Sequence, residues 1–433
     1  MKTVASHALG CKVNQYESEA IGELFSQKGY ELVDIDQQAD VYIINTCTVT
    51  NLGDKKSRQL IRKVKRQNPN AIVVAVGCYA QTAPKEVMAM EGVNIVVGTK
   101  ERKKIVELVE QYENKQNVQS YVSEIMQERE FEPLSIQRLE NRTRAYLKIQ
   151  DGCSQFCTYC IIPYARGPIR SRKPEDVLSE VKRLSENGFQ EVILAGIHVA
   201  SYGKDFKNTT LLELVEKVHD VKGIERIRFS SIEPNIVTEA FAKALSRLPK
   251  VCDHFHLSLQ SGCDKTLKAM NRKYDTQGYA HAVALLREHM KNVAVTTDMI
   301  VGFPQETEED FLQSYDFAKK MGFAKIHVFP YSPKKGTPAA SMTGQLPNAV
   351  KNQRSQKLMQ LSNVMAEAFL KKFLHNEMPV LYERAIAEDM YEGHTTNYIK
   401  VHGKSTSDVT NSIVKTTINE IKLETAMGFV TKL

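Results

Sequence analysis

Short runs rich in β-branched residues alternate along the chain with stretches in which apolar positions recur every three to four residues. Between residue 3 and about residue 108, the runs at 3–9, 41–45, 72–76 and 94–97 are separated by helical patterns, one of them over 17–28 with Gly29 as its C-terminal cap. That alternation predicts repeated strand–helix units and an open parallel α/β sheet. Residues 112–141 are polar, without apolar periodicity, and read as a connector. A second alternation follows, with strand candidates at 144–150, 191–195, 225–230, 254–259, 293–300 and 325–329. Amphipathic patterns at 175–187, 211–221, 277–291 and 308–321 lie between them. Six such units predict a partial (β/α)6 barrel with its functional residues at the carboxyl ends of the strands. A helix over 352–374 then leads into strand-like runs at 380–385, 396–401, 413–418 and 429–432, read as a small β-barrel. The expected division is therefore 1–113, a connector at 114–140, the barrel at 141–374 and the closing β-barrel at 375–433.

Composition narrows the class. At 433 residues, 42% hydrophobic and 25% charged, the chain is long enough for several cores and too apolar for disorder. Its longest apolar stretches, 71–76 and 192–196, fall far short of the roughly 18 residues a bilayer crossing takes, and the first ten residues lack a signal-peptide pattern. The expectation is a cytoplasmic protein without membrane contact. Eight cysteines are too few for a disulfide scaffold in a chain of this size, so their role is sought in metal binding or as buried thiols.

Three of them form Cys153-Ser-Gln-Phe-Cys157-Thr-Tyr-Cys160, on a loop after the first predicted barrel strand. Three thiolates can hold three irons of a [4Fe–4S] cluster and leave the fourth open, whereas an electron carrier needs four protein ligands. A structural zinc would need a fourth Cys or His, which the flanking residues do not supply. The CxxxCxxC spacing at this place resembles the radical S-adenosylmethionine superfamily. By that resemblance Cys153, Cys157 and Cys160 carry the catalytic cluster, its open iron chelates S-adenosylmethionine, and Tyr159 lies against the adenine. Other strand ends offer polar or glycine positions suited to that cofactor: Gly196, Glu233, Gln260, Asp298 and Gly302. Each alone could equally be a cap or turn former, and His198 reads as an ordinary hydrogen-bonded histidine.

Cys11, Cys47 and Cys78 each follow a predicted strand of the first domain by one to two residues. Parallel strands put such ends on one edge, where open α/β sheets bind ligands, so the three thiols could converge on a second cluster. Three incidental buried thiols are the plain alternative. Leu9-Gly-Cys-Lys-Val-Asn-Gln-Tyr-Glu-Ser-Glu19, Ile44-Asn-Thr-Cys-Thr-Val-Thr50 and Val76-Gly-Cys-Tyr-Ala80 resemble the methylthiotransferase branch of the superfamily, with its amino-terminal cluster domain, radical barrel and carboxy-terminal TRAM domain. With Asn51 to Arg58 and Ser230-Ser-Ile-Glu-Pro234, the resemblance is strongest to the tRNA enzymes acting on N6-threonylcarbamoyladenosine at position 37, beside the anticodon. It implies two [4Fe–4S] clusters, one auxiliary on Cys11, Cys47 and Cys78. It also implies two uses of S-adenosylmethionine, one methylating sulfur at the auxiliary cluster and one yielding the radical that removes the C2 hydrogen. The same chemistry on isopentenyladenosine or on a ribosomal protein, and a non-catalytic iron–sulfur electron-transfer or RNA-binding protein, are the rival expectations. Cys252 and Cys263 have no spacing that links them to either set.

The net charge is +7, unevenly spread: Lys55 to Arg66 holds seven Lys/Arg and no acid, Arg142 to Lys173 seven against Asp151. On a helix over 57–67, Arg58, Arg62 and Arg66 fall four apart, where like charges repel by roughly 0.2–0.5 kcal/mol per pair. RNA phosphates would offset this; a solvated face is the alternative. Arg166, Arg170 and Arg172 follow the cysteine loop and are expected to rim the active cavity and grip the same polyanion. From Lys371 onward eight basic and eight acidic residues cancel, so RNA contact there would use local patches or shape. Expected partners are the tRNA anticodon loop and an electron donor, with the chain itself a monomer.

Overall fold

The computed structural model describes residues 1–115, 117–136, 143–422 and 424–432. Arg142 and the end of the expected connector, residues 137–140, lie outside them.

The first unit is a six-stranded sheet of β1 (Thr3–Ala8), β2 (Glu31–Leu32), β3 (Val41–Thr46), β4 (Ile72–Gly77), β5 (Ile95–Val97) and β6 (Gln119–Tyr121), in the order β2-β1-β3-β4-β5-β6. Every pairing is parallel. β3 is buried along its whole length, as expected where helices cover both faces, and separate apolar clusters fill the two sides. Helices α1 (Lys12–Gln27), α2 (Asn51–Gln67) and α3 (Cys78–Thr82) follow β1, β3 and β4. β6 lies in the stretch read from sequence as connector; its apolar content is low because it is an edge strand.

Two four-stranded sheets make the second unit: β7 (Arg144–Asp151), β8 (Arg170–Ser171), β9 (Glu191–Gly196) and β10 (Arg226–Phe229) in the order β10-β9-β7-β8, then β11 (Ser231–Ile232), β12 (His254–Leu257), β13 (Ala294–Val301) and β14 (Lys325–Pro330) in sequence order. Only Ser230 separates β10 from β11, so six parallel strands curve as one partial barrel, and β8 caps its edge antiparallel to β7. The largest apolar core lies between these strands and the outer helices.

After the helix Asn348–Lys371, strands β15 (Glu377–Ala387), β16 (Met390–Thr395), β17 (Lys400–Lys404), β18 (Ile413–Lys422) and β19 (Thr425–Lys432) close into a barrel. The strand expected over 396–401 is divided here by a turn in which Tyr398 takes φ +67°, and Lys400 onward starts the next strand. That turn bolts the unit to the six-stranded partial barrel. Tyr398 stacks between His254 and His394, with ring centroids at 4.8 and 4.7 Å, and the Arg228 guanidinium lies 4.6 Å from its ring. Arg226 and Arg228 donate to the His394, Pro379 and Thr396 carbonyls at 2.9 Å each.

Candidate functional site

β1, β3 and β4 are neighbours, so their carboxyl ends deliver Cys11, Cys47 and Cys78 to one edge of the sheet. Cys11 caps α1, Cys47 directly follows β3 and Cys78 opens α3. The first two loops are in contact: a Cβ on Gly10, whose φ is +96°, would fall 2.6 Å from the Cys47 Sγ. Asn14 braces them, its Nδ2 donating to the Leu9 carbonyl at 2.8 Å and the Thr46 carbonyl at 3.1 Å. Its Oδ1 accepts from Nη2 of Arg166 at 2.6 Å, and Nε of Arg166 donates to the Cys78 Sγ at 3.2 Å.

Arg166 ends the helix Ile162–Arg166, just after the second cysteine set. It sits in a dry charge network: it meets Glu17 at 2.5 Å, Lys148 meets Glu17 and Asp151 at 2.6 Å each, and Arg102 pairs with Glu17 and, at 2.7 Å, with Glu132. Burial alone would raise both central carboxyls. The cations outweigh it, Arg102, Arg166 and Lys148 around Glu17 and Lys148, Arg166, Arg170 and Arg102 around Asp151, and hold both well below the usual carboxylate range.

Cys153, Cys157 and Cys160 lie on the loop after β7. Gly152, at φ +73°, leaves no room for a Cβ, which would meet the Pro168 carbonyl at 1.8 Å. The amide of Cys153 donates to Gly167 and that of Cys160 to Cys157, both at 2.9 Å. Nη1 of Arg272 donates to the Cys157 Sγ at 3.2 Å, while its Nη2 meets Glu233 at 2.8 Å. The other Glu233 oxygen meets Nε2 of His198 at 2.9 Å. Each cysteine set therefore receives one arginine on one sulfur.

The donor sets suit clusters better than single ions. Burial, and then the neighbouring thiols, pushes Cys160 up to about 12, and burial pushes Cys78 to about 12 and Cys153 to about 11. Cys78 feels the charge of Cys11 and Cys47, and Cys160 that of Cys157 and Cys153, so each set shares one locality. A tetrahedral ion with metal–sulfur bonds of ~2.3 Å needs its sulfurs ~3.8 Å apart. Among the described residues, the set of three ligand atoms that closes to within 4.8 Å is His256, Asp298 and His327, not either cysteine triad. Wider spacing is what a multi-iron cluster takes. Cys252 and Cys263 are buried free thiols away from both sets.

A cavity of about 1440 Å³ runs through the barrel lumen, lined by Gly10 and Cys11 from the first unit, Gly196, Ser230 and Asp298 from the barrel strands, and Tyr398 from the closing barrel. Of the residues expected at the cofactor, Gly196 and Asp298 face it. Tyr159 packs with Met270, Phe303 and Tyr331 beside the later triad, and Glu233 is fixed by Arg272 and His198. Gln260, in a left-handed conformation at φ +70°, bonds through its backbone to Asp298 and Ile300. Gly302 does not face the cavity: at φ +72° it makes the turn after β13, its amide donating to Glu306, and a Cβ there would strike Lys351 at 2.4 Å. The expected arginine rim also needs correction. Arg166, Arg170 and Arg172 are 0%, 2% and 4% exposed, because Glu17, Asp151 and Glu180 hold them in the seam between the first unit and the barrel, so no polyanion reaches them. Arg62 and Arg66 are exposed on α2, and Arg58 is half-buried, donating to the Tyr79 hydroxyl at 2.9 Å. Sequence reasoning missed Arg272 and Asn14; Asn14 stood inside the quoted Cys11 motif, whereas Arg272 carried no local signal.

Residues 147–318 match the Radical SAM superfamily and residues 3–98 match Uncharacterized protein family UPF0004. The chain is 46% identical, over 96% of its length and 94% of the relative's, to a protein of Bacillus subtilis (strain 168) named threonylcarbamoyladenosine tRNA methylthiotransferase MtaB. It is 38% identical, over 82% of its length and 76% of the relative's, to a protein of Thermoanaerobacter sp. (strain X514) named tRNA-2-methylthio-N(6)-dimethylallyladenosine synthase. Among solved structures, the radical S-adenosylmethionine methyltransferase TsrM from Kitasatospora setae shares the fold, with a TM-score of 0.57 at 17% identity over 78% of this chain and 77% of that one.

Proposed function

The chain belongs to the threonylcarbamoyladenosine tRNA methylthiotransferase family, and from that premise we propose that it adds a methylthio group to C2 of N6-threonylcarbamoyladenosine at tRNA position 37, beside the anticodon. It is a radical S-adenosylmethionine enzyme with [4Fe–4S] clusters. When bound, the clusters and S-adenosylmethionine supply the radical that takes the C2 hydrogen and the sulfur that replaces it. In this reading Cys153, Cys157 and Cys160 hold the cluster that binds S-adenosylmethionine, and Cys11, Cys47 and Cys78 hold the auxiliary one.

The observation that carries this reading is that Cys11 and the strand-end residues Gly196, Ser230 and Asp298 line one cavity. A base splayed from a single-stranded loop can enter such a space, between the early triad's Cys11 and the strand ends of the barrel. Buried thiols with raised pKa values give up protons as they take metal, so both triads are set to be loaded rather than to act as free nucleophiles. Arg272 and Arg166 place a fixed positive charge on one sulfur of each set, and such hydrogen bonds tune a cluster's potential. In this reading Glu233, Tyr159, Gly196 and Asp298 hold the cofactor's polar and adenine groups. An electron donor outside the chain, a monomeric state and a cytoplasmic location complete the proposal.

Mass spectrometry of tRNA from a strain lacking the gene tests it. Threonylcarbamoyladenosine should lose its methylthio group, and the group should return on complementation. Retention of the group in the deletion strain defeats the substrate assignment; loss from dimethylallyladenosine instead would move the chain to the other named activity.

A further inference from the structure

The lysines that line the lumen are paired with carboxylates with one exception. Lys325 meets Glu424 at 2.5 Å, Lys371 meets Glu367 at 2.7 Å, Lys400 meets Glu392 at 3.8 Å and Lys422 meets Glu420 at 3.1 Å. Lys12 makes no ion pair among the described residues; its ammonium lies 5.9 Å from the Tyr146 ring. The two guanidiniums nearest it in charge, Arg144 and Arg228, are already engaged by Glu383 and Glu191, at 2.7 and 2.8 Å. A half-buried cation without a counter-ion is costly unless a ligand brings one.

Resting on the threonylcarbamoyladenosine reading, we propose that Lys12 receives the carboxylate of the substrate's N6 substituent and so sets which modified adenosine is accepted. The threonylcarbamoyl group ends in a carboxylate and a dimethylallyl group has none, so this contact discriminates between the two substrates named for the relatives. The N6 substituent and C2 lie on the same edge of adenine. A carboxylate held at Lys12, one residue from Cys11, therefore brings C2 toward the early triad. The hydroxyl and carbamoyl groups would face the polar wall of His256, Thr296 and Asp298 in the same cavity.

The experiment measures affinity of the reconstituted holoenzyme for one tRNA in three forms: with threonylcarbamoyladenosine, with its cyclised form that lacks the free carboxylate, and unmodified. Wild-type protein should prefer the open form by about tenfold or more, the size of one charge-assisted hydrogen bond. Lys12→Met should abolish that preference with iron content unchanged, and Lys12→Arg should keep part of it. Equal weakening of all three forms would make Lys12 a phosphate contact and overturn the proposal, as would a preference that survives in Lys12→Met. Wild-type enzyme that forms no methylthio product on either modified form refutes the substrate reading and this inference together, whereas normal product formation with an intact preference in Lys12→Met refutes Lys12 alone.

Discussion

Arg166 donates from Nε to the Sγ of Cys78 at 3.2 Å, yet it stands six residues after Cys160, so a side chain fixed by the loop of the later triad holds a sulfur of the earlier one. The buried network around it contains four cations, Arg102, Lys148, Arg166 and Arg170, against three carboxylates, Glu17, Glu132 and Asp151. One positive charge is left over among these groups, and the Cys78 sulfur would balance it once the thiol gives up its proton to take metal.

Arg166→Gln should therefore damage both the seam and the early triad. Removing one partner from a buried ionic network costs about 3–5 kcal/mol. The expected result is a lowered melting temperature and reconstituted iron close to four per chain rather than about eight for two four-iron clusters. Full iron loading in a stable variant would show that the guanidinium contributes nothing to that triad.

The same network sets an acid limit. Glu17 and Asp151 titrate below their unfolded values because the surrounding cations outweigh the cost of burial. A depressed carboxylate gives stability that is fully present above its unfolded pKa of about 4 and is lost as pH falls toward the folded value. Denaturant titrations of the iron-free chain should thus show stability falling from about pH 4.5 downward. Glu17→Gln should be less stable at pH 7 and fall less steeply in that window; identical slopes for the two proteins would mean that Glu17 does not carry the effect.

Gly10→Ala tests the early triad by geometry rather than charge. An alanine Cβ would sit 2.6 Å from the Cys47 Sγ at a φ of +96°, so the Cys11 loop or the Cys47 loop must move. Strain of this kind costs roughly 1–2 kcal/mol before the clash is counted. Methylthiolation and about half the iron should be lost while 5′-deoxyadenosine formation from S-adenosylmethionine persists, because the later triad lies on another loop. Loss of both activities would argue against separate roles for the two sets.

The barrel was legible because its strands are buried on both faces and read as unbroken apolar runs, as Val192 to Ala195 do between helices of clear period. The cysteines were legible because parallel strands deliver their carboxyl ends to one edge whatever the sequence separation. The start of α1 was not. The helix begins at Lys12 rather than at residue 17, and its polar Asn14 and Glu17, at 1% and 0% exposure, are buried by partners about 130 to 150 residues away. Nothing local announces such partners, which is also why Arg166 read as a cation on the rim of the active cavity. Tyr398 escaped for a related reason: its β-rich neighbourhood suggested a strand, but stacking on His254 and Arg228 from another unit holds it in a left-handed turn.

With the later arginines buried, α2 is left as the basic face able to meet RNA. Arg62 and Arg66 are exposed one turn apart, without an ion pair among the described residues, and Lys55 and Lys56 stand exposed on the same helix. Neither arginine packs against the sheet, where Ile61 and Val64 face inward, so their replacement removes charge and leaves the fold intact. Each phosphate contact contributes about 0.9 to the slope of log affinity against log salt for duplex nucleic acid and about 0.7 for single strands. Arg62→Gln with Arg66→Gln should thus lower the magnitude of that slope by roughly 1.5 and weaken tRNA binding at low salt, equally for modified and unmodified tRNA, since phosphate contacts carry no base information. Filter binding across 50 to 300 mM salt, a range of the kind over which such contacts change affinity by orders of magnitude, reads both quantities. An unchanged slope would place the RNA on another surface and leave this helix face as solvated charge.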